Sequence, residues 1–153
     1  MFNIRVYGVL INEHKQVLVS DEYIRGMYLT KFCGGGLELG EGTKNCLRRE
    51  FMEEMQLRID VKDHLYTTDF YQQSAFDPGH QIISIYYYVE ALEEITIPLR
   101  NAPFQFDDDQ MKMYRDEGET ETFRFIEWPD FSEDCLTLPI DKKVANILKN
   151  GVH

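Results

Sequence analysis

Glu50, Glu53 and Glu54 lie at i, i+3 and i+4, so on a helix all three carboxylates project from one face. Like charges stacked this way destabilise an isolated helix, which calls for something that offsets the repulsion. A hard divalent cation such as Mg2+ or Mn2+ would do so, because oxygen ligands are what it prefers. Arg49, beside Glu50, could pair with another carboxylate and hold one of them in a fixed rotamer. Just upstream, Gly34-Gly35-Gly36 reads as a loop that lets backbone approach closely, so that a carbonyl could complete a metal shell. Glu38 and Glu41 sit on the same loop and could face the helix acids. An acidic, metal-lined pocket beside an open loop fits phosphoryl chemistry, in which the ions neutralise substrate phosphates and lower the pKa of an attacking water. Singly, the parts say little: Glu-x-x-Glu-Glu is common on solvated helix faces, and three glycines commonly make a flexible turn.

The elements that must position these residues can be read around them. From Thr43 to about Met55 the pattern is helical, with Leu47, Phe51 and Met55 four apart on one apolar stripe and Thr43 as N-cap. Upstream, Val6–Ile11 and Val17–Val19 are apolar runs separated by the polar turn Asn12–Lys15, which reads as a hairpin. A further strand is expected at Tyr28–Phe32, before the glycine break. Downstream, strand character returns at Ile59–Tyr71 and Gln81–Val89; the latter is apolar on both faces, as a central strand covered on both sides would be. Residues 92–120 read as looser and acidic, followed by a strand at Thr122–Trp128 and a short helix at Asp141–Lys149. With no repeat, linker or composition shift, the expectation is one mixed α/β domain over residues 1–153.

Composition limits what that domain can do. The chain has 153 residues, 43% of them hydrophobic, enough to bury a core without disulfides. Twenty-seven acidic residues against 16 Lys and Arg give a net charge of −11. That balance argues against phosphate-neutralising contact with a nucleic acid polymer and against docking on an anionic membrane. Cys33, Cys46 and Cys135 are sparse and odd in number, as free thiols in a reducing compartment would be. No basic region followed by an apolar stretch opens the chain, so a cytoplasmic location is expected.

Together the residues from Gly35 to Leu57 resemble the Nudix box, Gly-x5-Glu-x7-Arg-Glu-U-x-Glu-Glu-x-Gly-U, where U is bulky and apolar. Gly35, Glu41, Arg49, Glu50, Phe51, Glu53, Glu54 and Leu57 fall in register, and Gln56 stands in place of the last Gly. At average residue usage, six fixed matches arise by chance on the order of 10⁻⁷ per register. The resemblance implies an α/β/α sandwich with a mixed sheet, and a hydrolase that cleaves a diphosphate by water attack on phosphorus with Mg2+ or Mn2+. By position it implies Glu50 and Glu54 as principal metal ligands and Glu53 as a further one, with the Gly34 carbonyl near the metal. Arg49 and Glu41 would orient them. The general base would come from the box helix, at Glu53, or from the later acidic stretch of Glu117, Glu119 and Glu121, of which Glu119 is preferred. Arg5 and Arg25 could hold a phosphate, Phe32 could stack on a base, as could Tyr28, Phe70, Tyr71 and Tyr86, and Glu38 could face the substrate. The expected partner is a small nucleoside diphosphate derivative, such as a nucleotide sugar or ADP-ribose; a homodimer is compatible with the reading. The competing reading is a Nudix-fold nucleotide sensor without turnover, which an added DNA-binding domain or a damaged box would favour.

Overall fold

The apolar run around Val6 forms strand β1 (Phe2–Leu10), which is paired along both edges: antiparallel to β4 (Cys33–Gly36) and parallel to β6 (Gln81–Ala91). In this computed structural model, which describes residues 1–151, β5 (Ile59–Thr67) adds to β6 and completes a mixed sheet in the order β4-β1-β6-β5. A second mixed sheet, β3-β2-β8-β7, is built from β2 (Gln16–Ile24), β3 (Met27–Lys31), β7 (Leu99–Arg100) and β8 (Glu119–Glu127). The sheets fall in two compact units. The first takes Met1–Leu10 and Cys33–Ile97; the second takes Ile11–Phe32 and the chain from Pro98 on.

This arrangement corrects the hairpin expected at Asn12–Lys15. The turn forms, with the Lys15 N–H on the Asn12 carbonyl and a single bridge between Ile11 and Val17, but β1 and β2 belong to different sheets. A strand has two hydrogen-bonding edges, and both edges of β1 are already occupied. The glycine run is likewise not a break but most of strand β4, with Gly34, Gly35 and Gly36 opposite Tyr7, Val6 and Arg5. β6 is central in its sheet as expected, with Ser84 and Tyr86 buried on one face; on the other Val89 is buried and Ile83, Ile85 and Tyr87 are half-buried.

Helix α1 (Thr43–Met55) carries the expected stripe: Leu47, Phe51 and Met55 are buried, with Cys46 beside them. Burying the three large side chains contributes about 1.5–3 kcal/mol each. The helix lies so close to the sheet that a Cβ on Gly8 would come within 2.9 Å of the Phe51 ring. Its N-cap is Gly42, one residue before the expected Thr43; the Thr43 hydroxyl instead bonds the Tyr87 hydroxyl at 2.7 Å. At the other end Gln56 is the C-cap, in the left-handed conformation (φ 53°, ψ 36°), its N–H on the Met52 carbonyl. A side chain with a Cβ is strained there, so Gln56→Gly should stabilise the protein by about 1 kcal/mol. A thermal melt checks this as a rise in Tm of about 2–4 °C.

The second unit holds two further helices, α2 (Asp108–Glu117) and α3 (Pro139–Asn150). α3 confirms the expected C-terminal helix and buries Ile140, Val144, Ala145 and Ile147. α2 is not legible as a helix and occupies part of the looser acidic stretch expected at 92–120. It buries no side chain completely and so shows no apolar stripe; its capping signals are local, with Asp107 and Gln110 forming a capping box and Gly118 closing the end. Among the described residues no helix is long and apolar enough to cross a membrane.

Candidate functional site

In the first unit the carboxylates singled out by spacing converge on one guanidinium. Arg49 projects from α1 and holds Glu41 with two bonds, Nη2 to Oε1 at 2.7 Å and Nε to Oε2 at 3.0 Å. Its Nη1 donates to Glu50 Oε1 at 3.0 Å and to Glu53 Oε2 at 3.3 Å, and lies 3.7 Å from Glu38 Oε1. Nη2 also donates to the Gly36 carbonyl at 3.1 Å, which ties the helix to β4. The loop between the two elements closes on itself through the Glu38 N–H, which donates to Glu41 Oε1 at 3.0 Å. Part of the repulsion along the acidic face of α1 is therefore offset from within the protein.

The electrostatics follow from this clamp. The Arg49 bonds, with the Glu38 amide, hold the Glu41 carboxyl well below the usual range, at about 2. The Arg49 guanidinium is raised in turn, chiefly by Glu41. Cys46, buried under the pair with its Sγ against the Gly36 carbonyl, has its thiol pushed up to about 12 by burial and by Glu41. It is a neutral packing group, not a nucleophile.

Glu50 is placed by the strand as much as by the helix. Its carboxylate lies against Gly35, so closely that a Cβ there would sit 2.4 Å from Glu50 Cδ. Gly34, with φ at +152°, runs so near β1 that a Cβ would lie 2.0 Å from the Val6 carbonyl oxygen. The glycines thus serve close approach rather than looseness. Glu54 follows Glu50 by one helical turn and is half-buried.

A family model described as the NUDIX domain matches residues 1–147. The chain belongs to the Nudix family. No curated protein sequence matches it. Its fold is similar to that of a NUDIX hydrolase from Nitrosomonas europaea, with a TM-score of 0.69 at 14% identity, covering 99% of this chain and 90% of that one. An ADP-ribose pyrophosphatase from Streptococcus suis gives a TM-score of 0.55 at 14% identity, over 99% and 94% of the two chains. A UDP-X diphosphatase gives 0.63 at 12% identity, over 99% of this chain and 64% of that one. The mixed α/β architecture with two mixed sheets and three helices is that of Nudix hydrolases.

Within the Nudix box, Glu38, Glu41, Arg49, Glu50 and Glu53 are joined in one network. Nudix hydrolases generally use divalent metal ions, and a hard cation fits what is present here: carboxylate oxygens, and a bare Gly35 where any side chain would displace Glu50. Among the described residues, however, no three His, Cys, Asp or Glu side chains are drawn together as a ligand cluster. Glu41, Glu50 and Glu53 each turn an oxygen toward the Arg49 fork.

The remaining candidates lie in the second unit. Glu119 is the exposed first residue of β8, opposite Ile24, and Glu121 is inside the strand, opposite Glu22; Glu117 ends α2. Arg25 is exposed at the tip of the β2–β3 hairpin with φ at 48°, its N–H on the Gly118 carbonyl. Phe32 is corrected: it is fully buried, 6.2 Å from the Phe131 ring, a core side chain with no face left for a base. The aromatic count made it a candidate, but burial decides between stacking and packing. Two partners of the clamp were missed, the Gly36 carbonyl and Cys46. A backbone acceptor leaves no trace in residue type, and Cys46, whose Sγ lies 3.7 Å from Arg49 Nη2, reads in the sequence only as a free thiol.

Proposed function

We propose that the chain is a single Nudix hydrolase domain that cleaves the diphosphate linkage of a nucleoside diphosphate derivative, with ADP-ribose and nucleotide sugars as the substrate class. The observation that carries this reading is the box network, in which Arg49 clamps Glu41 and Glu50 against Gly35 and Gly36. Glu50, Glu54 and Glu53, with the Gly34 carbonyl, would hold Mg2+ or Mn2+. When bound, the ion neutralises diphosphate charge and acidifies the attacking water. Arg49 fixes the rotamers of Glu50 and Glu53, and Glu41 fixes Arg49. Water forms the new P–O bond as the anhydride P–O bond breaks; the water proton passes to a carboxylate and the leaving phosphate departs as an anion. The proton acceptor is Glu119 or Glu53. Of Glu119→Gln and Glu53→Gln, the variant that abolishes the acid limb of the pH–rate profile identifies it. Names of structural neighbours support the class, since among them are an ADP-ribose pyrophosphatase and a UDP-X diphosphatase.

The test is turnover of a nucleoside diphosphate panel with Mg2+ by the wild type and by Glu54→Gln. Product should appear with the wild type and be lost in the variant. Equal inactivity of both across the panel, with saturable nucleotide binding retained, would instead support the sensor reading.

A further inference from the structure

The Arg49 fork has a fixed side and a shared side. Nε and Nη2 are committed to Glu41 and to the Gly36 carbonyl. Nη1 bears two N–H groups, one donated to Glu50 Oε1 at 3.0 Å and the other to Glu53 Oε2 at 3.3 Å. Glu38 Oε1 stands third, 3.7 Å from the same nitrogen and beyond hydrogen-bond reach. Three carboxylates thus face two donors, and Glu38 is the one left over.

The three differ in how firmly they are held. The Glu50 side chain is 13% exposed and rests on the Gly35 backbone, so it has little room to turn. Glu53 is 59% exposed, and its bond to Arg49 is the longer of the two. Glu38 is 68% exposed, and Arg49 is the cation paired with it. The chain beside Glu38 has space to shift. Leu39 is fully exposed, and Gly40, with φ at +93°, has nothing within 4 Å of where a Cβ would stand.

We propose that Glu38 is a positioning residue for the divalent cation: it takes over the Arg49 Nη1 N–H that Glu53 gives up when Glu53 turns to the ion. This rests on the reading of Glu53 as a metal ligand. Arg49 sets the Glu53 rotamer, and the exchange then lets its oxygen go. A carboxylate that leaves a partly buried guanidinium strands a donor, and that loss opposes the move. Glu38 removes the opposition, because its Oε1 needs to approach by only about 1 Å to make an ordinary charge-assisted bond. The count of acceptors on Nη1 is conserved, with Glu50 and Glu38 in place of Glu50 and Glu53. Glu38 thus acts through Arg49 and not on the ion itself.

Calorimetric titration of Mn2+ into the full chain tests this, with Glu38→Gln introduced into three backgrounds: wild type, Glu53→Gln and Arg49→Met. In the wild-type background the substitution should raise the Mn2+ Kd about 3- to 5-fold, the scale of one solvent-exposed ion pair. In each of the other two, where no exchange takes place, it should change Kd by no more than about 1.5-fold. Glu38→Asp, which keeps the charge, should retain part of the wild-type affinity. With no ion added, the Tm of Glu38→Gln should lie within about 1 °C of wild type, because its carboxylate accepts no hydrogen bond from Arg49. An equal loss of Mn2+ affinity in all three backgrounds would mean that Glu38 acts on the ion directly, and overturns the proposal. So does an unchanged affinity with a lowered Tm, which would leave Glu38 a brace for its loop. If Arg49→Met does not fold, the Glu53→Gln background decides alone. A wild type that binds no Mn2+ overturns the proposal together with the metal-ligand reading. Failure of the hydrolase reading alone would show separately, as absence of turnover by a wild type whose Mn2+ affinity still depends on Glu38 and Glu53 together.

Discussion

Glu50→Gln should lower kcat by about 10²–10⁴-fold while leaving the fold intact. Metal-borne charge stabilisation in a phosphoryl transition state is worth several kcal/mol, and each 1.36 kcal/mol is tenfold in rate. Glu50 is the carboxylate whose position is most strongly dictated by the fold: Arg49 grips Oε1, and the backbone of Gly35 lies directly beneath the carboxyl carbon. The amide is nearly isosteric and relieves like-charge repulsion with Glu53 and Glu54, so Tm should not fall. Gly35→Ala separates position from charge. It keeps every carboxylate but drives a methyl to 2.4 Å from Glu50 Cδ, so the carboxylate must move. Activity should drop at least about 10-fold, the scale of losses when the support of a metal ligand is disturbed. Steady-state kinetics with thermal melts on both variants check the pair; an active Gly35→Ala would mean that Glu50 need not occupy this position.

Arg49→Met should act on stability and activity together. It removes the cation from Glu41, Glu50 and Glu53 at once and leaves the Gly36 carbonyl without its donor from the helix. Metal affinity should fall about 10- to 100-fold, because the carboxylates lose the contacts that orient them. The stability loss should carry a pH signature from Glu41. Its folded pKa is depressed from 4.5 to about 2, so the stabilisation is complete above pH 4.5 and lost as pH falls through about 2. The Tm gap between wild type and Arg49→Met should therefore be widest above pH 4.5 and narrow toward pH 2. A gap independent of pH would assign the loss to packing, not to the Glu41 pair.

These expectations rest on features that differ in how far the sequence exposes them. The acidic face of α1 was legible because three carboxylates, one arginine and an apolar stripe share a helical period, and the family resemblance supplied their roles. Gln56, in place of the box glycine, has a positive φ of 53°. The clamp was legible only in part: Arg49 was expected to hold one carboxylate and holds three, because Glu41 is brought back by a loop whose path sequence does not specify. The glycine run was misread because glycine usually marks a turn. Here it is a strand, since only residues without side chains fit between Val6 and Glu50. α2 escaped notice because it buries no complete side chain and thus imposes no period. Strand pairing was hardest to read: local patterning finds β1 and β2 but not that β6, some 80 residues on, takes the edge of β1.

On the function proposed here, part of the acidic surplus collects a divalent cation for diphosphate cleavage. This is tested most directly by hydrolysis of ADP-ribose or a nucleotide sugar in excess chelator, before and after Mg2+ or Mn2+ is restored. Turnover should vanish in chelator and return with either ion, but should not return in Glu54→Gln. Undiminished hydrolysis in chelator, or full activity in Glu54→Gln, would contradict it.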